Sequence, residues 1–146
     1  AETWNGAGKG RVYRLVEKDK AVDFVMAETQ ALLSDGMSKR SSEELARLLE
    51  HADMRVRQNA QFALAEKGAA AIEVLAEVAR ANEKQLARLH AIWGLGQIGR
   101  KSPEALKTVI DLLGDSDPEV RAQAAKVVGD GHAEAAATKL GAQLRT

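Results

Sequence analysis

The chain has 146 residues, 45% of them hydrophobic but only 3% aromatic, and its 21 basic and 21 acidic side chains cancel to a formal charge of zero. That length suffices for one continuous core, which must be built from Ala, Leu, Val and Ile, and the balanced charge leaves no overall field to draw in phosphate backbones or anionic lipid. The absence of cysteine excludes disulfides, thiolate metal sites, thiol nucleophiles and c-type haem attachment within these residues.

In chain order, residues 1–40 stand apart from the remainder of the sequence. Gly6-Ala7-Gly8-Lys9-Gly10 lacks the spacing of a phosphate-binding loop and reads as a turn or linker. Residues 10–16 alternate like a strand, and Val22, Val25, Met26, Leu32 and Leu33 mark one face of a helix over about 21–35. No apolar run reaches the roughly 18 residues of a membrane span, and Ala1 opens the sequence with no charged-then-apolar leader. The expectation is a segment trimmed from a longer protein, without membrane insertion.

From residue 41 the sequence repeats itself. Arg57, Arg88 and Arg121 each open an Arg-x-x-small-x-x pattern, 31 and 33 residues apart, and the block Leu48–Arg57 returns as Leu112–Arg121 after 64 residues. Each unit of about 32 residues reads as two helices, which predicts units over 41–68, 69–99 and 102–131 and a half unit over 132–146. First helices are expected over Ser42–Glu50, Ala69–Arg80, Pro103–Leu113 and His132–Leu144. Second helices are expected over Met54–Lys67, Glu83–Ile98 and Pro118–Val128.

Cap chemistry supports these bounds. Ser41 with Glu44 spells a capping box and Asn82 with Gln85 a similar pair, while Ser102-Pro103 and Asp117-Pro118 place a capping side chain before a first-turn proline. Gly68, Gly99 and Gly114 stand where helices should stop. Ala60, Ala63, Ala91, Gly94 and Ala124 recur at helical spacing, as needed where stacked helices bring their backbones close.

The pattern Leu-Leu-x-Asp-x-Asp-Pro-x-Val-Arg-x-x-Ala of residues 112–124 resembles the HEAT repeat, particularly the short bacterial type named after phycobilisome lyases. The resemblance covers about 41–146 and implies an all-α fold, a right-handed α-solenoid of helix pairs. The middle unit departs from the pattern, with Lys84 in place of the aspartate represented by Asp53 and Asp117. Residues 8–15, together with 35–41 and 60–65, are similar to the region where a sorbosone-dehydrogenase-like β-propeller gives way to HEAT repeats in large exported planctomycete proteins. That resemblance implies an exported parent with oxidoreductase chemistry in other modules, often beside a haem-binding module.

Candidate sites follow from the wheel of the second helices. With Val56, Ala60, Ala63 and Leu64 facing the seam, Arg55, Gln58 and Phe62 face away, and Leu89 and Trp93 hold the same registers one unit on. In HEAT-like stacks the second helices line the concave side. These five residues are therefore the expected interaction surface, either open to a partner or covered by residues 1–40. Arg57, Arg88 and Arg121 are expected as a structural row tying helices to loop acids or carbonyls. Gly94–Gly99 spells the dinucleotide fingerprint but ends a helix instead of opening one, so these are packing glycines. His51, His90 and His132 lie in different units with no following glutamate, which points to surface or interfacial histidines and to no metal or cofactor.

The functional expectation is a non-catalytic scaffold whose partner is a protein or a neighbouring domain of the parent chain. Two alternatives are a nucleic-acid-binding HEAT protein of the alkylation-repair type, which calls for a basic row in place of Phe62 and Trp93, and a lyase-related HEAT enzyme, supported by fold kinship alone.

Overall fold

The computed structural model describes residues 24–131 together with Gly141. The expected strand over 10–16, the glycine-rich 6–10 segment, His132 and the final half unit lie outside the described residues. Among the described residues there are seven α-helices and no strand.

Helix α1 (Phe24–Asp35) ends at Gly36, whose φ of 73° is the left-handed turn a residue without Cβ adopts freely. Three antiparallel pairs come next. The first pairs α2 (Ser42–Leu48) with α3 (Met54–Glu66), and the second pairs α4 (Ile72–Ala81), entered through a 3-10 turn at Gly68–Ala71, with α5 (Gln85–Gly99). The third pairs α6 (Leu106–Asp111), flanked by 3-10 turns at Pro103–Ala105 and Leu112–Gly114, with α7 (Pro118–Asp130). Helices α3, α5 and α7 lie side by side, α2 packs on α4, and α1 packs on α3. The molecule is an α-solenoid of helix pairs.

Local chemistry explains most boundaries. Ser41 and Glu44 close a reciprocal capping box, each accepting the other's backbone N–H. Asp53 accepts the amide of Arg55, and Asp117 accepts those of Glu119 and Val120. The Asn82–Gln85 box does not form. Asn82 donates its amide to Glu50, Gln85 reaches across to Asp117, and α5 starts after Lys84 with no side-chain cap. Ser102 likewise leaves its helix uncapped, because the chain enters there through the 3-10 turn that begins at Pro103. Of the expected stops, only Gly68 (φ 61°) takes the left-handed conformation.

The core runs the length of the stack. Ala60, Ala91 and Ala124 are fully buried along the seam, flanked by Leu64, Leu75, Ile92, Leu95, Val120 and Val128. The fingerprint-like glycines lie in the last turns of α5 and pack rather than cradle. A Cβ at Gly96 would stand 2.6 Å from Val127 Cγ1, and one at Gly99 the same distance from Leu106 Cδ2. Gly129, on α7, has open space around it.

Two alanine substitutions should therefore have opposite signs. Gly96→Ala gains about 1 kcal/mol of helix propensity but must push aside a stiff β-branched neighbour at about 2 kcal/mol, for a net loss near 1 kcal/mol. Gly129→Ala keeps only the gain, about 0.5 kcal/mol near a helix end. Urea unfolding of both variants checks this, and shifts of the same sign would refute close packing at Gly96.

Candidate interaction surface

The loops before the three second helices are built alike. His51, Asn82 and Asp115 each accept, on a side-chain atom, the backbone N–H two residues on, at 3.0 Å from Asp53, 2.8 Å from Lys84 and 2.9 Å from Asp117. This places an arginine of the following helix over its own loop. Arg57 Nη1 donates to the carbonyls of His51 and Ala52, both at 2.7 Å, and Arg121 Nη1 donates to those of Asp115 and Ser116 at 2.8 and 3.0 Å.

Arg88 behaves differently. Its Nε donates to the Ala79 carbonyl at 2.8 Å, and its two terminal nitrogens grip the Asp115 carboxylate of the next unit in a fork. The Arg88 bond holds the Asp115 carboxyl below its ordinary range, as Gln85 does for Asp117 and Asn82 with Lys84 for Glu50. The Arg55 guanidinium holds Asp53 down to about 2.

Between α3 and α5 lies a buried polar cluster. His90 is 6% exposed. Its Nε2 accepts from Arg57 Nε at 3.3 Å, so its Nδ1 carries the proton and donates to Gln61 Oε1 at 2.8 Å. Burial first, and the Arg57 charge second, push its pKa down to about 4. Sequence reasoning placed His90 as a surface or interfacial residue; Gln61, the partner that lets it be buried, went unnoticed. The signal that points to it is a polar pair 29 residues apart on facing helices.

On the outward side, Phe62 is 43% exposed, while Arg55 and Gln58 are exposed beside it. Trp93 is partly buried, its ring edge-on to His90 with centroids 5.0 Å apart and its Nε1 donating to Gln123 Oε1 at 3.0 Å. Leu89 corrects the expectation. It is only 5% exposed and belongs to the core, because α5 has a helix on each side and buries most of its circumference. The exposed leucine is Leu86, at 50%.

The outward face of the second helices thus carries two grooves. One is lined by Phe62, Glu66, Gln97, Ile98 and Lys101, the other by Trp93, Gly96, Gln97, Arg100 and Lys126. Gln97 stands between them, its Oε1 shielded from solvent and without a hydrogen-bond partner. Among the described residues no group of His, Asp or Glu is arranged to hold a metal ion, and no helix is long and apolar enough to cross a membrane.

Comparison with known proteins returns one family. The model for HEAT repeats matches residues 41–127 and, in a second overlapping register, 72–146. No curated protein and no solved structure matches the chain.

Proposed function

Because the chain belongs to the HEAT-repeat family, we propose that it is a non-catalytic scaffold that docks or positions another protein surface through its second helices. HEAT repeats commonly serve as protein-interaction scaffolds. The observation that carries this reading is Phe62, a large apolar side chain 43% exposed beside a groove that runs between α3 and α5. An aromatic left open beside a cleft is the sort of anchor protein partners bury. The finer reading is a piece of a larger exported multidomain protein whose oxidoreductase chemistry lies in other modules. It is supported by the likeness of residues 8–15 to a propeller's closing strand.

A photo-crosslinking amino acid placed at position 62 is expected to give discrete protein adducts in the native host. The same group at Glu73, exposed on the first-helix side, should give none. Unlabelled protein should compete the adducts away, and its Phe62→Ser variant should not. Identical adducts from both positions, or none from position 62, would overturn the reading.

A further inference from the structure

We propose that the interface between the first two helix pairs holds a second binding site, one that takes a carboxylate from an acidic residue of a partner protein. The repeat itself supplies the argument. At the interface between the second and third pairs, two carboxylates complete the loops: Asp115 neutralises Arg88 of the preceding unit, and Asp117 caps α7. The corresponding positions one unit earlier are Asn82 and Lys84. The loop keeps its shape, because Asn82 Oδ1 accepts the Lys84 amide just as Asp115 Oδ1 accepts that of Asp117. Both carboxylates, however, are gone.

Arg57, the counterpart of Arg88, is therefore a cationic residue only 9% exposed with neutral partners alone: two carbonyls and the Nε2 of His90. Among the described residues no carboxylate lies within ion-pair distance of it. A buried cation without a counter-charge is an unfavourable arrangement that an incoming anion relieves. Arg57 lines a cleft with Glu50, Lys84, Gln85, Leu86 and Ala87; the Glu50 carboxylate accepts from Asn82 at 2.6 Å and pairs with Lys84, and α5, fifteen residues long, opens there without a side-chain cap. Its first amides and the positive end of its dipole favour the same charge. Lys84 is already engaged with Glu50 at 3.2 Å, so Arg57 is the cation left to be matched. Leu86, half exposed on the rim, offers an apolar wall beside the charge. The ligand is thus an Asp or Glu side chain with an apolar neighbour, entering the cleft in front of Arg57 and the first amides of α5. This site is separate from the Phe62 grooves, so its failure would leave the scaffold reading in place.

The test is an NMR titration of the whole chain with N-acetyl-Asp-Leu-amide and, as a neutral control, N-acetyl-Asn-Leu-amide. Saturable shifts are expected at the amides of Gln85, Leu86 and Ala87 and at Arg57 Nε, with the neutral peptide at least tenfold weaker. Asn82→Asp adds a carboxylate at the edge of the cleft, giving up the Asn82 bond to Glu50, and should weaken peptide binding at least tenfold. Arg57→Gln should do the same, and if that variant fails to fold, Asn82→Asp decides alone. Equal binding of the two peptides, or unchanged binding by Asn82→Asp, would overturn the proposal. So would inorganic phosphate displacing the acidic peptide at a lower concentration than the peptide itself requires.

Discussion

Replacing Arg88 by methionine is expected to lower the free energy of unfolding by about 3 kcal/mol, the low end of the range for stranding one member of a buried ion pair. The side chains of Arg88 and Asp115 are 12% and 13% exposed, so water screens their fork only weakly. Truncation also frees the Ala79 carbonyl that Arg88 Nε satisfies, and it leaves the Asp115 carboxylate with the Asp117 amide as its remaining partner. The cost then comes mainly from the stranded charge, not from lost attraction. The double variant Arg88→Met/Asp115→Asn should consequently lose less than the two single losses added together, because no uncompensated carboxylate remains. Chemical denaturation of the three variants measures this. A loss below about 1 kcal/mol for Arg88→Met would reduce the pair to the standing of an ordinary surface ion pair.

Acidification should weaken the fold well before the carboxylates titrate. His90 is neutral in the folded state down to about pH 4, whereas an unfolded histidine takes up its proton near 6.5. Between those values the unfolded chain binds more protons than the folded one. Stability is therefore complete above pH 6.5 and is lost as the pH falls toward 4. At about 1.4 kcal/mol per pH unit the loss is about 2 kcal/mol between pH 7 and pH 5, and about 3 kcal/mol by pH 4. The carboxyls of Glu50, Asp53, Asp115 and Asp117 are held below their ordinary values, so what they contribute disappears only in stronger acid. His90→Gln has no ring to protonate and should flatten the slope between pH 7 and 5. Urea melts at the two pH values decide: a wild-type protein equally stable at both, or a glutamine variant that keeps the slope, would show that protonation of His90 is not the cause.

The repeat was legible because its physics is written in residue size. Alanines at 60, 91 and 124 can recur at such spacing only if backbones meet there, and all three are fully buried. Caps that need only residues of their own first turn were also legible, at Ser41 and Asp117. What escaped was whatever depended on a neighbour one unit away. Asn82 has the chemistry of a helix cap, but Glu50 and the Lys84 amide claim it first. Leu89 was placed by a wheel drawn for α3 and copied onto α5. Helix α5, however, is enclosed by α3 on one side and α7 on the other, with α4 behind it. His90 could be read only once Gln61 and Arg57 were seen to face it.

The way the pairs pack has a mechanical consequence. Cohesion passes from each pair to the next along the stack, so the body resembles a leaf spring more than a sphere. A small tilt at each seam disturbs few atoms locally yet sums over the length of the molecule. Its curvature can thus adjust to a load while every individual joint stays close to its resting geometry.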